Sequence, residues 1–221
     1  MSPFAPSPAP RIRGPYAVTP DLDDSAQLAR LAEAALKGGI RFIQYRNKRA
    51  DAALAEAQAR RLLALTRQYG AFLIVNDRAE LALDLGADGV HLGREDGDAT
   101  AIQALRGRAP ASFLIGASCY NELPRARAAA AAGATYLAFG SVFASSTKPQ
   151  AVRAGFDLLA AAKAEFHLPI VAIGGIDRKN APQLSALGID AIAVISSLFG
   201  ADDVETEARF LCQLFNADEH S

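Results

Sequence analysis

Short apolar runs alternate with longer amphipathic stretches along nearly the whole chain. The runs cover residues 14–19, 41–46, 71–77, 89–93, 113–118, 136–143, 169–175 and 191–197. Most are continuously apolar, Phe72-Leu73-Ile74-Val75 most plainly, as expected of parallel strands covered on both faces. Between them, stretches such as 26–37, 52–69 and 122–132 are rich in strong helix formers and gather apolar residues on one face, marked by Leu28, Leu31 and Ala35 in the first. Gly38-Gly39, Gly70, Gly86, Gly133 and Gly188 close such stretches just ahead of the next strand, where a helix C-terminus favours glycine.

Eight strand–helix units with starts roughly 25 residues apart, no linker and no shift in composition predict an α/β fold, a single-domain (β/α)8 TIM barrel over residues 13–216. An open doubly wound sheet is the competing arrangement. Against it, the glycine-rich turns follow the seventh and eighth strands rather than the first, and neither GxGxxG nor a Walker lysine motif occurs. Residues 1–12 hold four prolines among the first ten and lack the apolar core and basic flank of a signal peptide, so a disordered tail is expected there, with a short C-terminal tail at 217–221.

Composition narrows the function. The chain has 221 residues, 51% hydrophobic and 21% charged, without an apolar run approaching a membrane span of about 20 residues. Lys+Arg 23 against Asp+Glu 24 leaves a net charge of -1, so there is no overall basic field for nucleic acid or an anionic membrane, and any anion site must be local. Cys119 and Cys212 have no metal-ligand spacing, which fits a soluble protein of the reducing cytoplasm. A homo-oligomer is compatible with all of this.

In such a barrel the chemistry sits on the loops after each strand. The second strand ends in Gln44-Tyr45-Arg46-Asn47-Lys48, two cations and an amide donor suited to a polyphosphate, with a solvated loop salt-bridged to the next helix as the alternative. The third ends in Asn76-Asp77 and the fourth leads into Gly93-Arg94-Glu95-Asp96, so two carboxylates arrive from neighbouring strands, a donor set for Mg²⁺ beside substrate phosphates. Helix capping competes for these carboxylates, at Asp77 and at Asp96 or Asp98. Ser118 ends the fifth strand as a hydroxyl donor rather than a nucleophile. After the sixth come Ser145, Ser146, Thr147 and Lys148, a closable anion loop. Gly174-Gly175-Ile176 and Ile195-Ser196-Ser197 follow the seventh and eighth, where barrels of this class bind phosphate through backbone N–H groups. His91, within the fourth strand, reads as a packed, hydrogen-bonded residue.

Taken in order, Gln44-x-Arg46-x-Lys48, Asn76-Asp77, Val90-His91-Leu92-Gly93-x-Glu95-Asp96, Thr147-Lys148 and Ala172-Ile173-Gly174-Gly175-Ile176 resemble the thiamine phosphate synthase family, from Tyr16 to Ser197. The resemblance implies condensation of hydroxymethylpyrimidine diphosphate with a thiazole phosphate, giving thiamine phosphate and pyrophosphate. It implies that Gln44, Arg46, Lys48, Asn76, Ser118 and Lys148 hold the pyrimidine diphosphate, with Tyr45 and Asn47 in the same run, and that Asp77 and Asp96 hold Mg²⁺. Ser145, Ser146, Thr147, Gly175, Ile195 and Ser196 would hold the thiazole phosphate. It also implies that pyrophosphate departs first and that the thiazole nitrogen attacks a pyrimidine-stabilised cation, so Arg46, Lys48, Lys148 and Ser118 act on the leaving group and no protein nucleophile is needed. One departure stands out: the family's Gly-Pro-x-Phe-Pro-Thr-x-Thr-Lys reads here from Gly140 to Lys148 with Ser141 and Ala144 at the proline positions, which predicts a looser loop. A thiazole tautomerase of the same superfamily is a second reading, opposed by Arg46, Lys48, Asp77, Asp96 and Lys148. A silent paralogue that binds thiamine phosphate is a third, supported only by the altered loop.

Overall fold

A computed structural model gives the structure and describes residues 10–94, 96–144 and 153–216. The strands β1 (Gly14–Val18), β2 (Phe42–Tyr45), β3 (Phe72–Asn76), β4 (Gly89–Leu92), β5 (Leu114–Tyr120), β6 (Tyr136–Gly140), β7 (Ile170–Ile173) and β8 (Ala191–Val194) pair in parallel and in chain order. β8 returns to β1 and closes the barrel. Around it lie α1 (Ser25–Lys37), α2 (Ala52–Gln68), α3 (Ala79–Leu85), α4 (Ala99–Arg108), α5 (Leu123–Ala131), α6 (Phe156–Glu165), α7 (Ala181–Ala186), α8 (Ser196–Phe199) and α9 (Val204–Asn216). Among the described residues no helix is long and apolar enough to cross a membrane.

The continuous apolar runs serve two concentric cores, because successive side chains on a strand face opposite ways. Tyr16, Phe42, Ile74, Leu114, Tyr136 and Val171 belong to the inner one. Ala17, Ile43, Leu73, Ile115, Leu137 and Ile170, each one position away, pack outward under the helices. Each large side chain so buried contributes about 1.5–3 kcal/mol. Ile12, within the stretch expected to be tail, is buried in the inner core just ahead of β1. Residues 1–9 and 217–221 lie outside the described residues.

Gly116 on β5 shows how tightly the interior is filled: a Cβ there would sit 2.0 Å from Cζ of Tyr136, so the missing side chain makes room for that ring. Four helices start on aspartate caps, Asp24 on α1, Asp51 on α2, Asp98 on α4 and Asp203 on α9.

Strand ends differ from the expectation where the backbone turns. β7 stops at Ile173 because Gly174 and Gly175 take φ of 106° and 64°. Residues 195–197, expected to continue the eighth strand, instead start the single turn α8 after Ile195 leaves the extended region at ψ -87°. β5 runs on to Tyr120, with a register irregularity between Ser118 and Tyr120.

Candidate active site

The carboxyl ends of β2 and β3 frame a cavity of about 240 Å³ lined by Tyr45, Asn47, Lys48, Asn76, Asp77 and Arg78. Its cationic side is built from the β2 end. Thr19, just past β1, accepts from the Arg46 N–H through Oγ1 and donates back to the Arg46 carbonyl, both at 2.8 Å. Asp21 accepts from Arg46 Nη1 at 3.0 Å and from the Lys48 N–H at 2.9 Å. One carboxylate oxygen thus holds the Arg46 guanidinium and the Lys48 backbone. Tyr45 and Asn47 differ from their neighbours. The Tyr45 hydroxyl donates to Gln58 on α2, and Asn47 Nδ2 donates to the Leu22 carbonyl and to Gln58. Their polar side-chain atoms are committed to holding the loop.

The acidic side turns on Asp77, which has φ of 61°, a left-handed conformation that costs a non-glycine residue about 1 kcal/mol or more and gathers at functional sites. That twist sends the carboxylate sideways across the β3–β4 seam. Oδ1 accepts from the Gly93 N–H at 2.9 Å and Oδ2 from Asn76 Nδ2 at 2.6 Å. Asp77 does not cap α3, whose N-cap is Arg78 without a side-chain capping bond. Nor does Asp96 cap α4, since Asp98 does so by accepting from the Ala101 N–H at 2.7 Å. Asp96 stands exposed on the turn that Gly93 begins. The capping alternative therefore fails at both carboxylates. Glu95 lies outside the described residues.

A chain of hydrogen bonds crosses the barrel interior below this mouth. Gln44 Nε2 donates to the Tyr16 hydroxyl at 2.7 Å, Tyr16 and Tyr136 share a bond of 3.0 Å, Tyr136 meets His91 Nδ1 at 3.0 Å, and His91 Nε2 meets Ser118 Oγ at 2.9 Å. Only one direction gives every proton in the chain an acceptor: Tyr16 donates to Tyr136, Tyr136 to Nδ1, and the Nε2 proton to Ser118. The opposite direction strands the Tyr16 proton. Burial lowers the His91 pKa to about 4, against a smaller upward pull from Asp77, so the imidazole is neutral and can accept on one nitrogen while donating on the other. Ser118 is then left free to donate its own hydrogen toward the mouth. A Ser–His pair oriented by a phenol, with no carboxylate behind the histidine, is a binding arrangement rather than an activated nucleophile.

The β6 and β7 ends meet backbone to backbone. The Val142 and Phe143 N–H groups donate to the carbonyls of Ile173 and Gly174, each at 3.0 Å. A Cβ on Gly175 would lie 2.4 Å from the Ala144 carbonyl oxygen. The turn at Gly175 therefore packs directly against the start of the loop after β6, with Ile195 and Ser196 at the entry to α8. Ser145, Ser146, Thr147 and Lys148 lie outside the described residues.

A model of the family described as thiamine monophosphate synthase matches residues 15–198, from the start of the barrel to its last short helix. The chain belongs to that family. The thiamine-phosphate synthase of Chromobacterium violaceum is 54% identical over 208 residues, covering 94% of this chain and 99% of that protein. That of Methylobacillus flagellatus is 51% identical over 207 residues, covering 94% and 97%. Among solved structures, a thiamine phosphate pyrophosphorylase from Pyrococcus furiosus superposes with a TM-score of 0.83 at 35% identity, covering 94% of this chain and 97% of that one. The thiamine monophosphate synthase family thus accounts for the whole barrel, and this member is a transferase acting on small-molecule substrates.

Sequence reading missed Tyr16, Tyr136 and Asp21. Asp21 was within its reach, as the carboxylate that follows the first strand. The tyrosines sit within the first and sixth apolar runs, and nothing local betrays that they meet.

Proposed function

We propose that the protein condenses hydroxymethylpyrimidine diphosphate with a thiazole phosphate, releasing pyrophosphate and forming thiamine phosphate in the cytoplasm. Identity of 54% to a thiamine-phosphate synthase along nearly its full length carries this reading. The two free thiols suit a reducing compartment.

Arg46 and Lys48, with Lys148 from the loop after β6, face the diphosphate. As the bond to the pyrimidine methylene breaks, negative charge grows on the departing oxygens, and cations already fixed in place stabilise it without reorganising. Asp21 supports this role by holding Arg46 and the Lys48 backbone before substrate arrives. Gln44 and Ser118 hold the pyrimidine half, each oriented from below by the interior chain. Asn76 orients Asp77. The apolar barrel floor excludes water from the cation formed after departure. Gly175, Ile195 and Ser196, with Ser145, Ser146 and Thr147, hold the thiazole phosphate.

Among the described residues no group of three or more His, Cys, Asp or Glu is arranged to hold a metal. Mg²⁺ needs fewer, because it keeps waters and takes substrate phosphate oxygens beside one or two carboxylates. Asp77 fits that demand: Oδ1 accepts from Gly93 and Oδ2 from Asn76, each oxygen retains lone-pair capacity, and the strained backbone aims the carboxylate into the mouth. Asp77 and Asp96 would hold the ion, which when bound supplies positive charge to the departing diphosphate.

The test is direct. The purified chain, given both substrates and Mg²⁺, is expected to form thiamine phosphate and pyrophosphate in equal amounts. Binding of thiamine phosphate without turnover would select the silent-paralogue reading instead.

A further inference from the structure

The β4–α4 loop, which carries Asp96, is held from the side by the helix that follows β5. Arg125, in the first turn of α5, extends a half-buried guanidinium to four carbonyl oxygens. Its Nε donates to the Ser118 carbonyl at 2.7 Å. Its Nη2 faces the carbonyls of Gly97 at 3.1 Å and of Gly93 and Arg94 at 3.3 Å each. The three loop carbonyls belong to one turn, and Asp96 lies within it.

The surroundings reinforce the grip. Tyr120, at φ of 55°, places its ring 4.3 Å from the Arg94 guanidinium and 5.9 Å from that of Arg125. Arg94 pairs with Glu122 at 2.8 Å, at the entry to α5. Gly93 is the pivot: its N–H donates to Asp77 Oδ1 while its carbonyl accepts from Arg125. A planar guanidinium presents five donors in a fixed fork, so one side chain can bind several carbonyls in a set geometry.

We propose that Arg125 is a positioning residue that fixes the β4–α4 loop against the end of β5. It thereby sets the Asp77 and Asp96 carboxylates relative to Ser118. This rests on the reading of those carboxylates as the Mg²⁺ ligands. Arg125 acts through the turn it holds.

The experiment compares wild type, Arg125→Met, Arg125→Lys and Asp96→Ala as purified full chains. Three quantities are measured: the Mg²⁺ concentration for half-maximal rate, KM for each substrate, and amide hydrogen exchange over residues 93–98. Outer-shell groups of metal sites typically control affinity between about ten- and a hundredfold, so Arg125→Met is expected to raise the Mg²⁺ requirement by that order. At saturating Mg²⁺, KM for the thiazole phosphate should stay near the wild-type value, and exchange at 93–98 should quicken. Added guanidinium ion should restore part of the Mg²⁺ response. Arg125→Lys, which keeps the charge but not the fork, should fall between, and it carries the test if the methionine variant does not fold. An unchanged Mg²⁺ requirement with unchanged exchange overturns the proposal, as does an equal loss in every constant. If the wild type and Asp96→Ala both prove indifferent to Mg²⁺ and to chelation, the metal reading fails. In that case exchange at 93–98 no faster than in wild type overturns the clamp as well.

Discussion

The hydroxyls of Tyr16 and Tyr136 meet at 3.0 Å inside the barrel, 120 residues apart in the chain. Their contact joins Gln44 on β2 to Ser118 on β5 through His91. Both phenols are held above their ordinary pKa, first by burial, so they stay protonated across any working pH. Tyr136→Phe removes the shared link, leaving the Tyr16 proton without its acceptor and His91 Nδ1 without its donor. Unfolding in urea should show a loss of about 1–3 kcal/mol, the usual cost of stranding buried polar groups. KM for the pyrimidine diphosphate should rise while that for the thiazole phosphate holds. If neither constant moves, the chain is structural only.

Asp96 and Asp98 stand two residues apart, and opposite outcomes are expected of them. Asp98→Ala loses the α4 cap, about 1 kcal/mol of stability, with turnover near normal. Asp96→Ala should instead remove on the order of 2–4 kcal/mol of transition-state stabilisation, a rate loss of roughly thirty- to a thousandfold. Chelating all divalent metal from the wild type should be at least as damaging. Undiminished turnover after chelation would remove the ion from the mechanism.

Gly175 and Gly188 separate strain from function. Both have positive φ, 64° and 73°, so alanine at either costs about 1–2 kcal/mol of stability. At Gly188 a Cβ meets nothing within 4 Å, whereas at Gly175 it would press on the Ala144 and Phe143 carbonyls. Steady-state kinetics should therefore show a raised KM for the thiazole phosphate in Gly175→Ala and not in Gly188→Ala. Equal KM values in the two variants would detach the β7 turn from that substrate.

Burial pushes the Cys119 thiol up to about 12 and that of Cys212 up to about 11. A disulfide reagent at pH 8 should react slowly with the native chain and with both thiols once it is unfolded. The unfolded thiol ionises near 8.5, so ionisation stabilises the unfolded state first. Native stability is accordingly complete below that pH and falls as pH rises toward the folded value. Cys119→Ala should make this alkaline decline shallower between pH 8.5 and 10 in urea titrations. An identical slope would assign the decline to other groups.

Strand order and the mouth residues were legible because each depends on short spans: an apolar run, then the polar residues that end it. What escaped depends on contacts or torsions that no short span encodes. Whether Asp77 caps a helix or faces a ligand is decided by the sign of one φ angle. The Tyr16–Tyr136 link needs the barrel to close before it exists, and the carbonyls of the β4 turn that Arg125 binds lie about thirty residues before it in the chain. Ile195 extends an apolar run by one more residue, yet the chain turns there into α8.

The filled interior, from Ile12 ahead of β1 up to the tyrosine pair, has a consequence for traffic. Among the described residues the plug leaves the carboxyl ends of the strands, where Arg46, Asp77 and Gly175 lie, as the open side. On the proposed reaction both substrates, thiamine phosphate and pyrophosphate then enter and leave at that same end, so arrivals and departures compete for one face of the barrel.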